Sequence, residues 1–438
     1  MGVLTFRGGI DVPHGKGATE KLPIVDCAPP QGVLLSMRQH IGAPAQAVVK
    51  VGEEVKVGQL VGKAGGFVSA NIHSSVSGVV KRISNKKIMG TDTVLVEIEN
   101  DFQETLHEDI EAKGTLESLD SGEIRALLAE SGIVGMGGAG FPIHVKLSPP
   151  ETKPIDILII NGAECEPYLT GDHRLMLEHG DEIIEGTKLI MKCLGVSKAY
   201  IGIESNKPDA IAAMEKHTKE DQTIEVVTLK TKYPQGAEKQ LIHACTGRFV
   251  PSGGLPMDVG VVVNNTASTK AVADYILRGM PLVERVCTVT GSGVNKPMNV
   301  KIKNGSPLSH IIDFAEGLSP DFAKMILGGP MMGMAAPDID MPSTKTTGGL
   351  LFLNKEDSYI PEAEACIKCG KCVDICPVFI QPVYIARYAE KGLFDKAAEY
   401  GALDCIECGS CSFICPSKRP LVHSIRMAKR KILESRKK

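Results

Sequence analysis

The sequence contains no tryptophan, and aromatic residues of all kinds make up only 4% of its 438 positions. That poverty argues against a carbohydrate or single-stranded nucleic-acid platform, which is built from stacked rings. An excess of one charge is also missing: 49 Lys and Arg face 52 Asp and Glu, a formal net charge of −3. So balanced a chain has no field that would recommend nucleic acid as its partner, and any basic surface must be local. Long apolar runs are absent too. The longest, such as Ile155 to Ile160 and Val259 to Val263, fall far short of the roughly 20 residues of a membrane helix, so no transmembrane segment is expected. Met1 to Ile10 lacks the charged start, apolar middle and small-residue cleavage site of an export signal, which makes the cytoplasm the expected address.

What is present, 43% hydrophobic residues, suffices for several buried cores, and the length fits about three domains. Residues 1–110 read as all-β: from Val48 to Gly62, and again from Ile72 to Val80, apolar and polar residues alternate between glycine turns. This block resembles the barrel-sandwich fold of biotinyl and lipoyl carriers. No lysine occupies its hairpin, however; Asn71, His73 and Ser74 stand there, so the block is read as structural.

Residues 120–280 read as α/β. Asp120 and Glu123 have capping-box spacing and open a helix ending near Ser131 and Gly132. Apolar runs at Ile155 to Ile160, Ala199 to Ile203, Ile224 to Leu229 and Val259 to Val263 are separated by amphipathic patterns such as Glu182 to Leu194 and Lys207 to His217. Strand and helix in alternation imply a largely parallel sheet covered on both faces. Residues 282–335, with strands at Val286 to Thr290 and Val300 to Lys303 and a helix near Leu308 to Ala315, read as a small β-grasp, SLBB-like module. Residues 360–420 are helical between cysteine loops. Residues 421–438 form a basic tail, nine Lys or Arg from Lys418 to Lys438 standing against Glu434 alone. Such a tail can dock an anionic membrane surface or acidic partner subunits.

Eight of the 13 cysteines lie between Cys366 and Cys415, which in a reducing compartment points to metal and not disulfides. Cys366, Cys369, Cys372, Cys376 and Pro377 follow C-x2-C-x2-C-x3-C-P, and Cys405, Cys408, Cys411, Cys415 and Pro416 repeat it. Three cysteines at intervals of three let a tight loop present thiolates to three corners of an iron–sulfide cube, and the fourth corner takes a more distant sulfur. In two-cluster ferredoxins the fourth cysteine serves the other cluster. One [4Fe-4S] cluster is therefore expected on Cys366, Cys369, Cys372 and Cys415, and a second on Cys405, Cys408, Cys411 and Cys376. Zinc, the alternative, usually takes two separated C-x2-C pairs. The proline after each fourth cysteine is expected to open a helix.

Gly135-Met136-Gly137-Gly138-Ala139-Gly140-Phe141-Pro142 satisfies G-x-G-x-x-G, but a helix precedes it and Pro142 interrupts it, so the ordinary dinucleotide fingerprint is not met. Its glycines can still converge backbone N–H groups on a phosphate, with a helix from Pro142 and the Lys146 ammonium one turn on. From Gly135 to Lys146 the chain resembles the flavin loop of the NADH-oxidising subunit of respiratory complex I. Asn161-Gly162-Ala163-Glu164-Cys165-Glu166-Pro167 with Asp172-His173-Arg174, Tyr233 to Glu238, and Val263 to Ser268 resemble that family's further motifs in the same order. With the sandwich ahead and the cysteine repeats behind, the whole chain is similar to the C subunits of Rnf electron-transport complexes.

That resemblance implies a Rossmann-like flavin domain holding FMN, with Gly135, Gly137, Gly138, Gly140 and Lys146 near the phosphate and Asn161, Glu164, Tyr233, Gly236, Glu238, Asn264 and Asn265 around it. Phe141, Glu166 and Glu238 would border NAD(H). Met136 and Ala163 stand where the complex I loop carries arginine and aspartate. The implied function is that of a peripheral subunit on the cytoplasmic side of the cell membrane. It would pass electrons between NAD(H), FMN and two [4Fe-4S] clusters, with ferredoxin as an indirect partner and Na+ or H+ moved by the companion subunits. A soluble reductase of the cobalamin-reducing kind and a non-catalytic electron wire remain as alternatives.

Overall fold

The computed structural model describes residues 2–436. The four apolar runs of the middle region become parallel strands, Ile157–Gly162, Ala199–Glu204, Ile224–Leu229 and Val261–Asn265, arranged in space as third, second, first, fourth. Ile157–Gly162 and Val261–Asn265 carry successive apolar residues because helices cover both faces. Gly180–Leu194 and Thr266–Arg278 pack together on one side, where Ile183, Ile190, Val272 and Ile276 join Leu158 and Ile160 in the largest core. Glu238–Thr246 covers the other side, with Leu241 and Ile242 against Ile159 and Val227. Each such side chain fully buried is worth ~1.5–3 kcal/mol. The expected capping box opens helix Ser121–Glu130: the Asp120 carboxylate accepts from Glu123 N at 2.9 Å, and the Glu123 carboxylate accepts from Asp120 N at 2.8 Å.

The sandwich consists of one sheet of Gly32–Ser36, Thr91–Asn100, Gly78–Ile88 and Glu54–Val55 and another of Gln46–Ala47, Leu60–Lys63 and Ile72–His73, closed on Val33, Leu35, Val61, Ile72, Val96 and Ile98. His73 is buried in it, its Nδ1 without a partner, and burial holds its pKa down to about 3, so the imidazole is neutral.

Residues 2–26, expected within this β block, run elsewhere. Leu4 bridges to Leu229, Ile10 bridges to Tyr233, and strand Ile24–Asp26 pairs in parallel with Met298–Lys303. That strand forms one edge of a six-stranded sheet continuing through Met298–Lys303, Glu284–Thr290, Gly349–Asn354, Phe322–Leu327 and Met334–Ala335. Gly349–Asn354 lies beyond the expected module limit of 335, yet it is an interior strand and buries Leu350 and Phe352.

The C-terminal unit corrects two expectations. The helices do not begin at Pro377 and Pro416: turns with Phe379 at φ +57° and Lys418 at φ +50° intervene, and the helices open at Pro382 and Leu421. The basic tail is, over Leu421–Ser435, an amphipathic helix with Leu421, Ile425, Ala428 and Ile432 buried on one stripe. Arg419 grips Glu390 with two bonds of 2.7 Å, and Arg426 and Lys429 hold Glu407 at 3.0 Å, so much of the charge is spent within the fold. Lys437 and Lys438 lie outside the described residues. Among the described residues no helix is long and apolar enough to cross a membrane.

Candidate functional site

In a parallel sheet of this order, ligands bind beyond the carboxyl ends of the strands, where the order reverses. The reversal lies between Ile157–Gly162 and Val261–Asn265, whose last paired positions are Asn161 and Asn265. Three of the motifs converge there. The glycine loop is closed by Gly135 N donating to Phe141 O at 2.8 Å and by a bridge between Val134 and Pro142. It is held down by Ser268, whose hydroxyl accepts from Met136 N at 2.9 Å and donates to Val134 O at 3.1 Å. Gly137 sits on Asn265: a Cβ there would fall 2.9 Å from Asn265 Nδ2, and Asn265 cannot yield, since its Oδ1 caps helix Thr266–Arg278 and its Nδ2 donates to Asp172 at 2.6 Å. Gly138 faces open space.

The helix expected after Pro142 is a single turn, Ile143–Lys146, too short to lend much dipole. Its contribution is Lys146, whose Nζ donates to Val263 O at 2.9 Å and meets Glu238 at 3.3 Å. Asn161 joins two motifs, donating through Nδ2 to Gly236 O at 2.8 Å. A Cβ on Gly236 would press within 3.4 Å of Asn161 Oδ1 and Ala163.

The other residues implied by resemblance turn their polar groups to neighbouring protein. The Glu164 carboxylate accepts from Asp172 N at 2.6 Å and His173 N at 3.2 Å, at the start of helix Gly171–Glu178. Burial, together with the Glu164 charge, pushes Asp172 up to about 6. Glu166 accepts from Met331 N at 3.2 Å and Met332 N at 2.8 Å, and burial raises its pKa. Tyr233 is fully buried and its hydroxyl donates to Cys408 O at 2.7 Å. Met136 and Ala163 are buried apolar residues, each part of a core.

Several residues absent from the sequence reading brace this end of the sheet. Lys16 Nζ donates to the carbonyls of Glu164 at 2.9 Å, Glu166 at 3.0 Å and Leu169; burial lowers its pKa, partly offset by Glu164. Lys207 Nζ donates to Ala163 O at 2.6 Å. Buried Arg285 donates to Lys345 O at 2.8 Å behind the glycine loop. Nothing local marks Lys16 or Arg285, because the groups they brace are far away in the chain.

Cys376, Cys405, Cys408 and Cys411 line one cavity with Ile375, Pro377, Ile380, Val422 and Ile425. Burial pushes the Cys405 thiol up to about 12, and the charge neighbours of Cys411 are, in falling order, Cys405, Cys408, Cys376 and Cys372. Cys372 instead has Cys415 and Cys366 as its cysteine neighbours. The two repeats share an unusual backbone, with Lys368 and Glu407 at φ +57° and +59° and Gly370 and Gly409 at +79° and +80°.

The residues fit the implied groups. Asn264 Nδ2 and both polar atoms of fully buried Gln235 have no protein partner, which suits a polar ring, and Lys146 beside an open glycine loop suits a phosphate. Among the described residues no three His, Cys, Asp or Glu side chains gather for a single ion. Four thiols spread around a cavity suit a cube with sulfurs at its corners.

Comparison with known proteins agrees in chain order. Residues 4–103 match the RnfC barrel sandwich hybrid domain, 128–274 the Nuo51 FMN-binding domain, 286–335 the SLBB domain and 358–416 the 4Fe-4S dicluster domain. The fold is also similar to a chain of an NAD+-reducing [NiFe]-hydrogenase, with a TM-score of 0.51 at 19% identity over 74% of this chain and 62% of that one. The fold and these domains define a flavin and iron–sulfur electron-transfer protein. The C subunit of the Na+-translocating ferredoxin:NAD+ oxidoreductase complex of Acetobacterium woodii is 47% identical over 99% of this chain and 98% of its own length. Its proton-translocating counterpart from Clostridium ljungdahlii is 47% identical over 97% and 93%, and the Rhodobacter capsulatus protein 40% over 98% and 83%. The chain belongs to this family of C subunits of ion-translocating oxidoreductase complexes.

Proposed function

We propose that this chain is the NAD(H)-facing subunit of a membrane complex that couples electron transfer between ferredoxin and NAD+ to Na+ or H+ translocation, seated peripherally on the cytoplasmic side. The observation that carries the reading is the convergence, at the sheet's switch point, of the glycine loop, Lys146, Asn161 and the partnerless Asn264 amide. FMN, when bound, exchanges an electron pair with nicotinamide as hydride and electrons singly with iron–sulfur clusters.

The chain's own residues do the positioning. Gly138 leaves open space for the phosphate, Gly137 and Gly140 let the loop lie close against Asn265 and Thr346, Gly135 closes the loop on Phe141, and Lys146 supplies positive charge. Asn161, Gly236, Asn264 and Asn265 form the floor. Glu164 and Glu166 hold the surrounding turns through backbone N–H groups, Glu238 orients Lys146, and Phe141 rims the entrance for the nucleotide. Cys366, Cys369, Cys372 and Cys415 hold one cluster and Cys376, Cys405, Cys408 and Cys411 the other.

Anaerobic purification with iron, sulfide and flavin quantified, followed by titration with NADH, tests the reading. Eight iron atoms and one FMN per chain, the flavin and both clusters reduced by NADH, and copurification with integral membrane subunits are expected. Flavin that NADH fails to bleach would indicate an electron wire, and purification with no membrane partner a soluble reductase.

A further inference from the structure

We propose that the two cluster sites have unequal, fixed stations: the site of Cys376, Cys405, Cys408 and Cys411 is turned to the flavin unit, the other is turned outward, and Tyr233 is the positioning residue that sets this order. The inference rests on the cofactor reading above and deepens it. Hydrogen bonds reach the C-terminal unit from residues on or against the parallel sheet, among them those of the Ser252 hydroxyl to the Asp404 carboxylate at 2.7 and 2.8 Å. Tyr233 Oη donates to Cys408 O at 2.7 Å, Gln240 Nε2 donates to Pro377 O at 3.0 Å, and Gly9 N donates to Ile375 O at 2.8 Å. Ile375 and Pro377 flank Cys376, and Asp404 precedes Cys405, so these contacts fall on the same site.

Burial follows the same division. Cys376, Cys405, Cys408 and Cys411 are at most 9% exposed, whereas Cys366 and Cys369 are exposed with Ile367 between them at 65%. Since the repeats share their local backbone, the difference comes from what they dock against. Local charge differs too: Glu407 lies inside the inner loop, paired with Arg426 and Lys429, where the outer loop has Lys368.

Phenylalanine would fill the Tyr233 pocket equally well, but the hydroxyl gives one hydrogen bond to the peptide of a cluster ligand, with the Glu166 carboxylate beside it. A donor dipole aimed at that peptide favours the more negative, reduced state of the inner cluster and raises its potential.

The test uses the full chain, purified anaerobically, as wild type, Tyr233→Phe and Gln240→Leu, each alone and combined with Cys366→Ser to remove the outer cluster. Iron and flavin are quantified, and each protein is titrated redox-potentiometrically with EPR detection. Tyr233→Phe is expected to keep wild-type iron and FMN while one of two cluster signals moves to lower potential, the one that survives Cys366→Ser. A shift in the signal that Cys366→Ser abolishes, or no shift in either, overturns the proposal. Should Tyr233→Phe lose iron, Gln240→Leu decides by the same criterion. Wild-type protein without iron or FMN would count against the cofactor reading itself, a separately visible failure.

Discussion

Lys345 is fully buried where the sandwich, the start of the glycine loop and the loop after the six-stranded sheet's Met334–Ala335 strand meet, and its Nζ donates to Asn71 O at 2.5 Å and Gly132 O at 2.6 Å. Burial holds its pKa down to about 7. In the unfolded chain the ammonium keeps its proton to about 10.4. Between those two values the unfolded state binds more protons than the folded one, so stability rises with pH through the window. The slope reaches about 1.4 kcal/mol per pH unit, or about 4–5 kcal/mol across the whole window. Lys345→Met removes the titration and leaves two carbonyls without their donor, about 1–3 kcal/mol each. The variant should therefore be less stable at pH 9.5, with the deficit shrinking by about 3 kcal/mol as pH falls to 7. Urea midpoints by pulse proteolysis from pH 6.5 to 9.5, variant against wild type, measure this. His73, lowered to about 3, and Asp172, raised to about 6, titrate below the window. Buried thiols such as Cys27 and Cys287, pushed up to about 11 and about 12 in the folded chain, lose their protons from about 8.5 in the unfolded one and so also act inside the window. Their contribution is common to both proteins and cancels in the difference. Parallel stability–pH curves for the two proteins would refute the reasoning.

Asn264→Leu removes a buried amide donor with no protein partner, so the flavin-free chain should unfold no more easily, and by up to ~1–2 kcal/mol less easily, while the flavin-to-protein ratio after gel filtration falls. Gly137→Ala sets a methyl against Asn265 and its helix cap; a loss of about 1 kcal/mol in stability together with weaker FMN retention is expected, measured by thermal unfolding and by fluorescence titration of the flavin-free protein. Cys376→Ser should remove the cluster of the Cys405 repeat and leave that of its own repeat; if EPR finds the Cys405 cluster intact and the Cys366 cluster missing, the ligand exchange is wrong. Ile432→Ala, in the core of the C-terminal unit, should cost about 2–5 kcal/mol and accelerate bleaching of cluster absorbance in urea.

The architecture was readable in the sequence wherever a local pattern decides it. Asp120 and Glu123 cap a helix because the two bonds close within four residues, and the middle strands are largely apolar because helices cover both faces. Pairing across long separations left no local trace. Nothing in Ile24 to Asp26 indicates Met298–Lys303 as its neighbour, and Gly349–Asn354 looks like any apolar run until it is seen between two partners. The basic stretch from Lys418 stands out by its charge, although the spacing of Leu421, Ile425, Ala428 and Ile432 carries the better signal. At the site, the motif order named loops that do meet, Gly137 on Asn265 and Asn161 on Gly236. Which polar groups those loops would spend on one another, as Glu166 does on Met331 and Met332, depends on backbone that no motif specifies.

The course of residues 2–26 constrains how the molecule is built. Leu4 waits for Leu229, Ile24 for Asn299 and Gly9 for Ile375, so this segment, synthesised well before its partners, is among the last to find its place. At ribosomal speeds of about 5–20 residues per second, it trails unattached to its last partner for roughly 20–70 seconds. Its final seat adjoins the peptide of Cys376, so loading of inorganic iron and sulfide and the docking of this leading strand are two events at one address.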